Sequence, residues 1–208
     1  MKQRNQKLVT GLSAAMLLMG ANAALAETVT VPATVTVNNA IDFTFTGTLD
    51  FGEVRANADS TAAECSGIVL SPTSLILTAA PTSATCSSAG TSVIQAVGGT
   101  VARPVFTIAG IAPFTTLNLT VPNTAIDLTA ATGPGTAQFQ LINFTAQKTS
   151  APTAAITLTA GAGTIQTDAA GGATFTVGAT LITDPGTPTT VTYQDLAYAG
   201  SFDVSVTY

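Results

Sequence analysis

Alternation of apolar and hydroxylated residues, at both ends of the chain and repeatedly between them, limits the possible folds more than any other feature. Val29, Val31, Ala33, Val35 and Val37 are interleaved with Thr28, Thr30, Thr34 and Thr36. At the other end, Phe202, Val204, Val206 and Tyr208 alternate with Ser201, Asp203, Ser205 and Thr207. A period of two puts successive side chains on opposite faces of a strand, whereas a half-buried helix needs a period of 3.6. The 39 threonines point the same way. Thr and Val are branched at Cβ and suit a pleated surface better than a helix. Lys, Arg and Glu, which normally fill the solvent side of a helix, are almost missing, so Thr takes the solvent side instead. The expected fold is all-β.

The pattern predicts strands at 41–45 and from Leu49, then at 67–70, 75–79, 92–97, 101–109, 115–121, 125–129 and 137–145. Later strands are expected at 154–159, 163–167, 173–182, 189–193 and 199–208. Turn residues separate them: Gly98-Gly99, Gly133-Pro134-Gly135, Gly161-Ala162-Gly163, Gly171-Gly172 and Asp184-Pro185-Gly186. Pro32 removes a ladder donor, which suits an edge or an added strand. Many short strands at near-regular spacing predict a sandwich or a barrel. No internal repeat or long linker divides the chain, so one domain is expected over 27–208.

The first residues predict export. Lys2, Arg4 and Lys7 precede an uncharged run, and Ala24-Leu25-Ala26 fits the small-residue pattern of a signal-peptidase site. The alternative is a membrane anchor, but Thr10, Ser13 and Asn22 interrupt the apolar run. Residues 1–26 therefore read as a cleaved signal peptide, with the product destined for the periplasm and then the cell surface. Residues 27–208 contain eleven acidic and three basic residues, Arg55, Arg103 and Lys148, a net charge of −8. Such a surface cannot neutralise a phosphate backbone, so no nucleic-acid partner is expected. In an oxidising compartment Cys65 and Cys86 are expected to pair as a disulfide. Metal binding is the alternative, and two thiols in a chain without histidine make a poor site.

Catalytic chemistry finds little support. Without histidine, Ser-His-Asp and Cys-His mechanisms are excluded. Asp168 and Asp184 lie in turn-like segments and are expected to cap them. Asp42 and Asp50 flank 43–49 and could meet across a hairpin as a carboxylate pair, though nothing else suggests a sugar cleft. The glycine-rich turns match no phosphate loop. The N-x-T triplets at Asn118 and Asn143 read as chance in a Thr-rich chain. The expectation is no catalytic residue, no cofactor, no metal and no small-molecule substrate.

Three motifs, in order, carry a resemblance: Leu49-Asp50-Phe51-Gly52, then Phe175-Thr176-Val177-Gly178-Ala179-Thr180-Leu181, then the closing run from Tyr198-Ala199-Gly200 to Tyr208. Together they resemble the bacterial secreted family called domain of unknown function 4402. The cysteine pair is not part of that family's pattern. The ending is also similar to spore coat U-type proteins and chaperone–usher pilins, which close on a Gly-rich turn, an alternating strand and a near-terminal Tyr. The resemblance implies an incomplete, immunoglobulin-like or pilin-like β-sandwich whose missing strand comes from a neighbour. Self-association into a polymer, with a periplasmic chaperone and an outer-membrane usher as partners, follows from it.

Residues 27–37 have the pattern a donated strand needs. Backbone pairing would give affinity, and Val29, Val31, Ala33, Val35 and Val37 would fill pockets in an acceptor groove. The same segment could equally be the first strand of its own sandwich. Two other readings stay open: a self-contained secreted coat, matrix or adhesion protein, and an outer-membrane barrel. The barrel has in its favour the terminal aromatic strand, and against it an aromatic content of 6% with no Trp.

Overall fold

The computed structural model describes residues 32–36, 40–80, 86–130 and 136–208. The chain divides into Met1–Asn38 and Asn39–Tyr208, and all the strands of the described residues lie in the second part. They are β1 (Asp42–Thr46), β2 (Asp50–Asn57), β3 (Gly67–Leu70), β4 (Leu77–Ala79), β5 (Val93–Ala102), β6 (Val105–Ala109) and β7 (Thr116–Thr120). After them come β8 (Ile126–Ala130), β9 (Phe139–Lys148), β10 (Ala154–Ile156), β11 (Ala162–Gln166), β12 (Ala173–Thr183), β13 (Tyr198–Ala199) and β14 (Ser205–Thr207). The fold is an all-β antiparallel sandwich.

The larger sheet runs β1-β6-β12-β9-β8-β13, with β3 joined to β12, β4 to β3 and β10 to β9. The second sheet runs β11-β7-β14, and β2 and β5 form a separate two-stranded ribbon. Alternation explains the facing layers. In β7, Leu117 and Leu119 are fully buried while Thr116, Asn118 and Thr120 are exposed. In β6, Phe106 and Ile108 are buried while Val105 and Thr107 are exposed. These inner faces meet in one core with Phe144, Ile165, Phe175 and Val177. Burying each large apolar side chain contributes roughly 1.5–3 kcal/mol.

β12 departs from half-burial because both of its faces are covered; every residue except Thr174 is buried. Its threonines are satisfied where they lie: Thr176 Oγ1 donates to the Pro72 carbonyl at 2.7 Å, and Thr183 Oγ1 accepts the Ser66 amide at 3.0 Å. Gly178 is needed for this packing, since a Cβ there would lie 2.2 Å from the Leu70 carbonyl oxygen. A bulge between Gly178 and Thr180 shifts the register with β9. Asn143 sits opposite it with φ 51°, so Ile142 faces outward while Phe144 returns to the core.

Several expectations need correction. Gly98-Gly99 is not a turn between strands but lies inside β5. There Gly99 (φ 77°) and Gly52 (φ 69°) approach where the β2–β5 register slips; a Cβ on Gly52 would lie 2.6 Å from the Gly98 carbonyl oxygen. Residues 189–193 form no strand, only an isolated bridge between Thr192 and Asn57. The ring of Tyr193 instead stacks on Phe139 at 4.2 Å. Residues 199–208 are not one strand: β13 pairs with β8 and β14 with β7, so the run passes between the sheets. Asp42 and Asp50 do not face each other, because β1 pairs with β6 and β2 with β5. The turn expected at Gly133-Pro134-Gly135 lies outside the described residues.

Candidate functional site: an unpaired strand edge

In the seven-strand immunoglobulin arrangement one sheet has the order A-B-E-D and the other C-F-G. Here β1-β6-β12-β9 has the first order, and β7-β14 supplies C and F of the second. Read along the chain, β1, β6, β7, β9, β12 and β14 take places A to F in turn. Tyr193, in the E–F connection, supports the correspondence. Its hydroxyl accepts the Asp184 amide at 2.8 Å and donates to the Gln138 carbonyl at 2.9 Å, and burial holds the phenol protonated well above its ordinary pKa. Place G, on the free side of β14, is filled by no strand among the described residues.

Among the described residues β14 is an edge strand that pairs with β7 alone, over Ser205–Thr207. Phe202, Val204 and Val206 are half-buried and pack on the core. The Phe202 ring lies 5.0 Å from that of Phe144. Tyr208 is 54% exposed, and its carbonyl accepts the Asn118 side-chain amide at 2.9 Å. The alternation read in the sequence is thus present in space, although only three residues are paired.

β1 is the edge of the other sheet. Phe43 and Phe45 share a face, opposite Ile108 and Phe106. Phe43 is stacked on Phe106 and Phe175 at 5.8 and 6.1 Å. Phe45 reaches Phe106 at 5.9 Å yet remains 67% exposed. Periodicity assigns Phe45 to the inner face but cannot reveal that the face is uncovered at this end.

Of the candidate donor residues, Val29, Val31 and Val37 lie outside the described residues. Ala33 and Val35 are exposed and in no strand, Val35 to 87%.

Cys65 and Cys86 form the disulfide, with Cα atoms 5.0 Å apart. Both are buried against Ile142 and Ile182 on the outer side of β9 and β12. Asp168 and Asp184 cap their turns: Asp168 Oδ1 accepts the Ala170 and Gly172 amides, and Asp184 Oδ1 accepts that of Gly186. Among the described residues no group of three or more His, Cys, Asp or Glu could hold a metal ion. Periodicity missed Asp59, which is buried between Thr61 and Thr91. Hydrogen bonds from the Thr91 hydroxyl, then the Thr91 and Thr61 amides, hold its carboxyl well below the usual range. No family model, curated protein or solved structure matches the chain.

Proposed function

We propose that this protein is a structural subunit of a bacterial surface fibre and polymerises by β-strand donation. The observation that carries the reading is the free edge of β14, bordered by the half-buried Phe202, Val204 and Val206. An open edge beside partly covered apolar side chains is a template for another strand. The exposed Phe45 on β1 adds an apolar surface of the kind an inserted strand buries. Residues 27–37 of a neighbouring copy are the proposed donor, with Val29, Val31, Ala33, Val35 and Val37 as the inward side chains. The resemblance to domain of unknown function 4402 and to chaperone–usher pilins supports this assignment. It also implies export, a periplasmic chaperone that covers the open edge before assembly, and an outer-membrane usher.

The sandwich core favours a fibre subunit over a membrane barrel, whose interior would be polar. Size-exclusion chromatography and negative-stain microscopy of residues 27–208, beside a chain starting at Asn38, test the proposal. SDS-resistant ladders or fibres that vanish on truncation are the expected result. A compact monomer that unfolds once 27–37 is removed would place that segment in its own sandwich and end the fibre reading.

A further inference from the structure

The segment between β1 and β6 carries β2 to β5, four strands beyond the six that fill the immunoglobulin order. Part of it lies on the outer side of β9 and β12, where it borders an open pocket of about 510 Å³. Small-molecule sites fall in this range, roughly 300–1,000 Å³. The disulfide forms part of the wall; Ile142 and Ile182 come from the sheet, and Val69 and Ile94 from the inserted strands. Ile142 faces outward by alternation after Leu141, and the bulge that follows it returns Phe144 to the core. None of the described residues lining the pocket carries a charge.

One buried group there lacks a partner, beside the exposed side chains of Asn143 and Thr145 at the rim. Thr180 is 6% exposed and lines the pocket, yet its hydroxyl makes no hydrogen bond to any described residue. Its neighbours on the strand, Thr176 and Thr183, are both bonded. No side-chain oxygen or nitrogen among the described residues is both sealed off and unpaired, so the Thr180 oxygen opens onto the pocket. A buried hydroxyl is normally paired with protein, water or ligand.

We propose that this pocket binds a neutral, mainly apolar small molecule whose single hydroxyl or carbonyl group pairs with Thr180. An ion is disfavoured because no opposite charge in the wall would offset its desolvation. The apolar wall supplies the binding energy, and Thr180 sets the orientation. The site lies on the outer side of the sheet, separate from the β14 edge, and does not depend on strand donation.

The test is a fluorescence titration of the full protein with N-phenyl-1-naphthylamine, a neutral apolar probe, displaced by decan-1-ol. Saturable enhancement is expected, lost in Val69→Trp, which fills the pocket from β3 where Val69 lies opposite Thr180, and kept in Phe45→Ser at the β1 edge. In Thr180→Val, which keeps the shape but removes the hydroxyl, decan-1-ol should compete about two- to tenfold more weakly. Unchanged thermal unfolding of each variant establishes that it is folded. Absence of saturable binding, binding unaffected by Val69→Trp, or binding lost only in Phe45→Ser would each overturn the proposal.

Discussion

Phe144 and Phe202, with ring centroids 5.0 Å apart, join the larger sheet to the run that leads into β14. Phe144 is on the core side of β9, and Phe202 precedes β14, which pairs with β7 on the side away from β11. The contact holds the free edge in place. Phe202→Ala should therefore cost about 2 kcal/mol, less than the roughly 3–5 kcal/mol of a fully buried Phe→Ala, since Phe202 is only half-buried. Urea unfolding measures this, and a change near zero would mean that the run is not anchored through its ring.

Phe45 gives the opposite expectation. At 67% exposure its ring adds little to the isolated chain, so Phe45→Ser should change monomer stability by under about 1 kcal/mol. Assembly should nonetheless be slowed, because an apolar surface at the proposed acceptor is lost. Light scattering of freshly refolded protein, read beside its unfolding curve, separates the two effects.

Asp59 makes stability depend on acid. Hydrogen bonds depress its folded-state pKa below the ordinary 3.8, so its contribution is complete above that value and is lost as the pH falls through the folded-state value. Asp59→Asn should lower the urea midpoint at pH 7 and narrow the gap to wild type below about pH 4. A gap independent of pH would contradict this account of the carboxylate.

The disulfide closes a loop over a sequence separation of 21. Replacing both cysteines with serine should cost about 3 kcal/mol by the chain-entropy argument. For a domain of this size that corresponds to a fall in Tm of roughly 6–12 °C, measurable by calorimetry. The same variant should lose the naphthylamine signal, because Cys65 and Cys86 line the pocket.

Much of the fold was legible in the period of two, and what was missed follows from what that period encodes. It assigns a residue to a face, and the strand expected at 67–70 coincides with β3 residue for residue. Pairing between distant strands is not local information: β1 joins β6 across the inserted ribbon, and β12 joins β3 more than a hundred residues earlier. The closing run reads as one strand because Phe202, Val204 and Val206 continue to face one core while the backbone changes sheet. Glycines suggested a turn at Gly98-Gly99, where a bulged pair of strands requires them instead. The free edge of β14 is a matter of which strand is missing beside it, and that is visible only in the sheet order.

The most direct test of strand donation is cysteine cross-linking between the two proposed partners. Thr36→Cys is combined in turn with Ser205→Cys and Thr207→Cys, the native cysteines being already joined to each other. After mild oxidation the products are resolved on a non-reducing gel. Donation between copies predicts a ladder of covalent multimers for at least one pair, with no ladder from any single variant. A cross-linked monomer would show that residues 27–37 complete their own sandwich, contradicting the account.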